Sequence, residues 1–281
     1  MRTSPLSHPK RGAVVRVELD RSFNLKPMPL GLSLLFFGVP TAIGMVGLYM
    51  VLPALNRAGV PLLWDYTISF AGMFPLLLGA ALVAYRLEGH TLSWQGLKRR
   101  FRVVGLGKRE WLWTAGLLIV YVGGQILLMP TARWLVSVLP LPLPEGLPHV
   151  LDPRVARTSI PTEFLGVQLR GNWGMALWYL VILSLNIIGE EFWWRGYVLP
   201  RQELAHGRWT WIVHGILWTL FHAPLWWNLI SLLPSTLSLS FVASRLKNTT
   251  PGIIVHLMLN GLGYVVVLLG ILGVGTRIPG G

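Results

Sequence analysis

The chain has 281 residues, of which 53% are hydrophobic and only 12% are charged, and its formal net charge is +13 at pH 7. Soluble domains carry about 25% charged residues, so this composition predicts an integral membrane protein. The basic excess does not indicate a nucleic-acid partner, because the lysines and arginines stand in blocks between apolar runs, as in the cytoplasmic loops of membrane proteins. The chain has no cysteine, which excludes disulfides, thiolate metal sites and cysteine nucleophiles.

Apolar runs long enough to cross a bilayer follow one another along the chain, since about 20 residues suffice for one crossing. Pro40 lies inside the first run and is expected to kink it, and Pro75 lies inside the second. The sixth run is short and is expected to be tilted or re-entrant. The predicted spans are residues 27–56, 66–85, 111–129 with an extension to 139, 173–191, 209–227, 229–243 and 253–274. The predicted fold is therefore an all-α polytopic transmembrane helix bundle of about seven spans, within a range of six to eight.

The spans divide the chain into four regions. Residues 1–26 are predicted to be a basic cytoplasmic tail, because the apolar run after them is too long for a signal peptide. Residues 27–139 hold the N-terminal membrane spans, and residues 140–172 read as an exposed proline-rich loop. Residues 173–281 form a second membrane domain, which carries the polar residues discussed below.

The distribution of Lys and Arg predicts the orientation. With the N-terminus inside, 18 of the 24 basic residues fall in cytoplasmic segments and 6 fall outside. The positive-inside rule therefore predicts a cytoplasmic N-terminus. The predicted location is the cell membrane as a multi-pass protein. Compactness and basic, Trp-rich loops favour a bacterial inner membrane, with the lipid bilayer as a partner.

Two adjacent carboxylates, Glu190 and Glu191, lie at the end of an apolar segment, and Arg195 follows them. Ionised groups in a membrane helix are expensive and usually functional. On a helix Glu191 and Arg195 share a face, whereas Glu190 is rotated about 100° away. The pattern predicts that Arg195 neutralises Glu191 and leaves Glu190 free for chemistry. A purely structural ion pair would explain Glu191 and Arg195 but would leave Glu190 without a partner.

Three more polar residues lie inside apolar segments: His222, His256 and Asn260. His256 and Asn260 are four apart and share a helical face. Each could serve only as a hydrogen-bond partner between helices, and for His214, which lies on the same stripe as His222, this interpretation is favoured.

Together these side chains suit attack of water on a carbonyl group, with a carboxylate as general base and with donors for the oxyanion. Glu and His also bind zinc, and this alternative stays open, although no His-Glu-x-x-His helix is present. Neither a metal nor a cofactor is predicted.

Three motifs follow one another along the chain: Glu190-Glu191-x-x-x-Arg195, then Trp218 four residues before His222, then His256-x-x-x-Asn260. They resemble the motifs of the CAAX protease and bacteriocin-processing family. These are type II prenyl endopeptidase-like, glutamate-dependent intramembrane proteases. The resemblance covers about residues 173–270. It implies a metal-independent intramembrane endopeptidase with Glu190 as general base and His222 as its partner in holding the water. It also implies an oxyanion site at His256 and Asn260, an orienting pair of Glu191 and Arg195, and a cavity open to the cytosolic side.

The implied function is hydrolysis of a peptide bond of a membrane-associated peptide or protein near the cytosolic membrane face. One alternative is a non-enzymatic membrane binding or immunity protein that uses the same cavity. A second is an ion-coupled transporter, in which intramembrane Glu and His residues relay protons. To bring Glu190 to the depth of His222, the fourth span is expected to continue past Glu191 through Tyr197.

Overall fold

The computed structural model of the protein describes residues 23–155 and 159–274, and these residues are mostly helical. The predicted tail therefore lies largely outside the described residues. The α-helices are α1 (Leu30–Val46), α2 (Leu52–Arg57), α3 (Leu62–Tyr66), α4 (Met73–Leu87), α5 (Trp94–Arg100), α6 (Lys108–Leu128), α7 (Pro130–Val138), α8 (Trp173–Glu190), α9 (Leu199–His206), α10 (Thr210–Phe221), α11 (Leu229–Leu246) and α12 (Thr250–Ile271). Three π-helical segments span Gly47–Val51, Thr67–Ala71 and Glu191–Val198, and two 3-10 segments span Gly207–Trp209 and Ala223–Asn228. An antiparallel hairpin pairs β1 (Glu163–Phe164) with β2 (Val167–Gln168).

One end of the bundle, here called the basic face, is built from residues 23–29, 88–107, 199–209 and 247–249. An ion-pair network joins these segments, since Glu88 contacts Arg100 and Arg201 at 2.6 Å each. Glu203 contacts Arg102 at 2.9 Å and Lys247 at 2.6 Å. The basic face is therefore held together by charged groups that the sequence places between spans.

The opposite end, here called the loop face, is built from residues 58–61, 139–155, 159–172, 222–228 and 272–274. Arg57 pairs with Glu145 at 2.7 Å, and the backbone N–H of Gly171 donates to the carbonyl of Ile271 at 2.9 Å. Asn172 caps α8 by accepting a hydrogen bond from the Met175 N–H at 3.2 Å. The segment predicted as an exposed loop is therefore partly built into the fold, since Leu169 within it is fully buried.

Six helical runs are long and apolar enough to span a membrane, which confirms the predicted all-α polytopic bundle. The fourth run, Trp173–Phe221, contains two legs, because Gly207 adopts φ +54° and turns the chain back. The described chain thus passes between the two faces seven times. The cytoplasmic N-terminus stays a prediction.

Each π-helical segment is followed within four residues by a proline: Pro53, Pro75 and Pro200. Proline has no N–H, and its ring clashes with the carbonyl four residues earlier, which lies inside the π segment in all three cases. The wider π turn, closed by i→i+5 bonds, relieves that clash without ending the helix. By contrast α1 stays helical through Pro40.

Aromatic packing surrounds the third π segment, whose eight residues are all buried. The Trp194 ring stacks on Phe37 with centroids 4.2 Å apart. Just before the segment, Gly189 lets α8 approach α4 closely, because a Cβ there would lie 2.6 Å from the Phe74 carbonyl oxygen. Close backbone approach at small residues is how helices associate in membranes, where apolar burial alone drives little.

The position of His222 corrects one expectation. The sequence placed it inside a span covering 209–227, but α10 ends at Phe221 and His222 caps it. A 3-10 segment begins at Ala223 with Pro224 as its second residue, and this proline prevents the helix from continuing. His222 therefore lies at the end of a helix that points toward the loop face. The expected continuation of the fourth span is found, as the helix runs past Glu191 to Val198.

Candidate active site

Glu190 lies at the bottom of a cavity of about 450 Å³ between α1, α4, α6, α8, α10, α11 and α12. Its side chain is held by two donors. The Asn186 amide Nδ2 donates to Oε1 at 2.8 Å, and the Trp218 indole Nε1 donates to Oε2 at 3.1 Å. Glu190 is 4% exposed, so these two bonds replace water that the carboxylate would otherwise bind.

Asn186 connects the carboxylate to the third motif. It precedes Glu190 by one helical turn, and its Oδ1 accepts a hydrogen bond from Asn260 Nδ2 at 2.8 Å. The Asn260 amide has two N–H groups, so the second one is free to bind another acceptor in the cavity. The sequence analysis did not identify Asn186. An asparagine four residues before a glutamate in an apolar helix would have indicated that the two side chains share a face and can form a hydrogen bond.

Glu191 points away from the cavity and contacts two cationic or cation-forming side chains. Its Oε1 lies 3.0 Å from His256 Nδ1 and 3.4 Å from Arg195 Nη1. A carboxylate accepts hydrogen bonds, so Nδ1 of His256 is the donor and Nε2 is left for the cavity. Glu191 therefore orients His256, a contact that the sequence did not predict.

Gly252 makes room for this arrangement on α12. A Cβ at position 252 would lie 2.7 Å from Glu191 Oε2 and 3.1 Å from Leu239 Cδ2. Any larger residue would push against the carboxylate that orients His256. A lone glycine in the sequence carries no signal for such a contact.

Trp218 serves both glutamates. Its indole N–H binds Glu190, and the Arg195 guanidinium lies over its ring at 3.3 Å from the centroid. Arg195 is fully buried, and stacking on an aromatic face is one of the ways in which a planar guanidinium is accommodated out of water. The sequence singled out Trp218 only as the aromatic residue four before His222.

His222 lines the same cavity. Its Nδ1 donates to the carbonyl of Trp218 at 2.8 Å, since a carbonyl oxygen can only accept. In the neutral ring, Nε2 is therefore a hydrogen-bond acceptor. His214, by contrast, is fully buried outside the cavity with Nδ1 2.6 Å from Gln202 Oε1, which fits the structural interpretation.

The structure thus brings four of the six predicted site residues to one cavity and places two behind it. Glu190, His222, His256 and Asn260 line the cavity, whereas Glu191 and Arg195 hold His256 and Trp218 from the buried side. Within residues 23–155 and 159–274, no group of three or more His, Asp or Glu side chains is arranged to hold a metal ion. Metal independence stays a prediction.

A protein-family model, described as type II CAAX prenyl endopeptidase Rce1-like, matches residues 172–262. The matched segment begins at the cap of α8 and contains all six predicted site residues together with Asn186, Trp218 and Gly252. No curated protein and no solved structure matched the chain. The chain is a multi-pass membrane protein, and its segment 172–262 is similar to a CAAX-type protease family. This match supports its assignment to the CAAX protease and bacteriocin-processing family.

Proposed function

We propose that the protein is an intramembrane endopeptidase that hydrolyses a peptide bond with a water molecule activated by Glu190. The observation that carries this proposal is the arrangement around one cavity of a doubly held carboxylate, two histidines and an amide donor. In this proposal water is the attacking group, and the carboxylate acts as its base.

Glu190 is the general base in this mechanism. Asn186 and Trp218 each donate to one of its two oxygens, and each oxygen keeps a further lone pair that can accept a hydrogen bond from water. His222 Nε2 accepts a second hydrogen bond from the same water, because Nδ1 is committed to the Trp218 carbonyl. Proton removal by a positioned base contributes about 100- to 10,000-fold to such a reaction.

Asn260 and His256 bind the oxyanion that forms when water adds to the carbonyl carbon. Asn260 offers the N–H that Asn186 does not use. His256 donates through Nε2 when both ring nitrogens carry hydrogen, and the Glu191 carboxylate at 3.0 Å compensates that charge. Losing one oxyanion donor costs about 100- to 1,000-fold in rate.

The depth of Glu190 favours a reacting bond in the half of the bundle nearer the basic face. Glu190 is 17 residues from the start of α8, about 25 Å at 1.5 Å per residue, but only eight residues from the end of the π segment, about 12 Å. With the basic face inside, the cut lies near the cytosolic side of a cell membrane, which we take to be a bacterial inner membrane. The substrate is a membrane-associated peptide or protein.

A non-enzymatic binding or immunity role would use the same cavity but would tolerate a Glu190→Gln replacement. The test is a mass-spectrometric comparison of membrane-protein termini in cells that express the wild-type chain or Glu190→Gln. New termini should appear only with the wild type. If no terminus distinguishes the two samples, or if Glu190→Gln generates the same termini, the proposal is wrong.

A further inference from the structure

A second cavity lies on the outer surface of the bundle as a groove between α6 and α11, with a volume of about 440 Å³. Its α6 wall extends from Arg109 to Val120, and its α11 wall consists of Ser238, Phe241 and Val242. These lining residues are all different from those that line the cavity around Glu190. Leu112 and Val120 are exposed, so in a multi-pass membrane protein this groove faces lipid, and we call it the lipid-facing groove.

The lipid-facing groove has the depth of one membrane leaflet. Val120 follows Arg109 by 11 residues on α6, which corresponds to about 16 Å at 1.5 Å per residue. The hydrocarbon core of a bilayer is about 30 Å thick, so one leaflet has about half that depth. A single acyl chain therefore matches the groove in length.

Two arginines stand at the end of the groove that adjoins the basic face, where α6 begins and α11 ends. Arg109 lines the groove directly. Arg245 follows Phe241 by four residues and Val242 by three, so it lies on the face of α11 that lines the groove. Both arginines are exposed, and within residues 23–155 and 159–274 neither forms an ion pair.

The acidic side chains nearest to these arginines along the chain and at the basic face are held by other groups. Glu110 accepts a hydrogen bond from the Gly107 N–H at 3.1 Å. Glu203 contacts Arg102 at 2.9 Å and Lys247 at 2.6 Å. Two positive charges therefore stand at one end of an apolar groove, without a described carboxylate to balance them.

The rest of the groove suits an acyl chain. The Phe241 ring packs against Trp113, with centroids 5.9 Å apart, and against Trp211 at 5.3 Å. The Ser238 hydroxyl donates to the Pro234 carbonyl at 2.5 Å, so its hydrogen is not left for a ligand. At Gly116 a Cβ would meet nothing within 4 Å, which leaves open space in the α6 wall.

From these observations we propose that the lipid-facing groove binds one anionic phospholipid, with an acyl chain along α6 and α11 and its phosphate on Arg109 and Arg245. Guanidinium groups bind phosphate through paired hydrogen bonds, and basic pockets between membrane helices bind anionic headgroups. A zwitterionic lipid gains less from two arginines, because its own cation offsets the phosphate charge. The proposal depends neither on peptide cleavage nor on the side of the membrane that the basic face occupies.

The test uses the full chain in nanodiscs of mixed phosphatidylcholine and phosphatidylglycerol, in which a trace of one or the other lipid carries a photoreactive diazirine on an acyl chain. After irradiation, the cross-linked lipid is quantified and its position is mapped by mass spectrometry. Each arginine near an anionic headgroup contributes about fivefold, so phosphatidylglycerol should label residues 109–120 and 238–245 about 25-fold more than phosphatidylcholine does.

Two pairs of variants separate the groove from general effects. The double variant Arg109→Gln/Arg245→Gln should lose the preference, whereas Lys98→Gln/Arg99→Gln, which removes the same charge from the basic face outside the groove, should keep it. Gly116→Leu fills the groove and should lower labelling at least fivefold. Its control is Gly123→Leu on the same helix, where a Cβ also meets nothing within 4 Å but the groove is not reached, and there labelling should stay at the wild-type level.

Equal labelling by the two lipids, or equal losses in the two double variants, would reduce the contact to ordinary surrounding lipid and overturn the proposal. Disulfide-linked dimers of Gly116→Cys in this cysteine-free chain, together with absent lipid labelling, would show instead that a second copy covers the groove. Labelling requires no turnover, so Glu190→Gln should label as the wild type does. A failure of the proposed base therefore leaves the lipid site standing, and a failure of the lipid site leaves the proposed base standing.

Discussion

The contact between Gly252 and Glu191 allows the site to be disturbed without altering any side chain that touches substrate. In Gly252→Ala, the new Cβ would lie 2.7 Å from Glu191 Oε2 and 3.1 Å from Leu239 Cδ2. Comfortable contacts begin near about 3.5 Å, so the carboxylate must move by about half an ångström or more. Its hydrogen bond to His256 is already 3.0 Å long and would lengthen beyond the usual limit. Since misplacement by about 1 Å can cost about 100-fold, we expect turnover to fall by about ten- to 100-fold.

The matched control is Gly261→Ala on the same helix, where a Cβ would meet nothing within 4 Å. Both variants gain the higher helix propensity of alanine, so any difference between them reports the contact with Glu191. The assay is the cleavage rate of a peptide identified by the comparison of termini, in proteoliposomes, with the thermal unfolding midpoint measured in parallel. Equal rates for Gly252→Ala and Gly261→Ala would refute the orienting role of Glu191.

Three further substitutions test other contacts. Asn186→Ala removes a hydrogen bond to the charged Glu190 carboxylate, which is worth about 1.5–3 kcal/mol. The single-turnover cleavage rate should therefore fall about ten- to 100-fold. An unchanged rate would contradict the bridge that Asn186 forms between Glu190 and Asn260. Arg195→Leu leaves Glu191 buried without its cation, so the free energy of unfolding, measured in a thermal or denaturant titration, should fall by about 3–5 kcal/mol. An unchanged free energy of unfolding would show that the ion pair is dispensable. Pro200→Ala removes the ring whose clash with a preceding carbonyl produces the π turn. Turnover should fall about tenfold or more, because the site residues shift, while the thermal unfolding midpoint stays the same or rises. Turnover at the wild-type rate would show that the π geometry is not needed.

The sequence predicted the membrane bundle well because crossing a bilayer imposes a strong and local signal. Runs of about 20 apolar residues and blocks of basic residues can be read without any knowledge of tertiary contacts. The ends of the observed helices differ by a few residues from those of the predicted spans. The second run extends over Leu62–Leu87, where residues 66–85 were predicted, whereas α10 ends at Phe221, where the span was predicted to continue to 227. Helix ends depend on caps and on buried polar partners, which hydropathy does not register.

The composition of the cavity was predictable, but its internal contacts were not. Spacing of four on a helix brought His256 and Asn260 to one wall, and the rotation between Glu190 and Glu191 gave them different surroundings. The link from Glu191 to His256 joins residues 65 positions apart, and the space at Gly252 depends on how α12 packs against the π segment. Such contacts arise from helix packing and leave no local trace in the chain.

The third π segment likewise could not be predicted from the sequence. Pro200 is visible in the sequence, and its clash with a preceding carbonyl follows from covalent geometry. Whether the helix ends, kinks or widens depends on its neighbours, and here the buried aromatic packing of Trp194 on Phe37 holds the widened form together. The part that Val150, Leu151 and Phe164 take in the cavity wall could not be predicted either, because it depends on how the loop before α8 folds back over the site.

In the proposed mechanism, Glu190 removes a proton from the attacking water. This role is measured by the single-turnover cleavage rate of Glu190→Gln beside wild type, on the same membrane peptide in proteoliposomes. Glutamine keeps the shape of the side chain but cannot take up a proton, so the rate should fall by about 100- to 10,000-fold while peptide binding persists. Cleavage by Glu190→Gln at the wild-type rate would show that Glu190 is not the base.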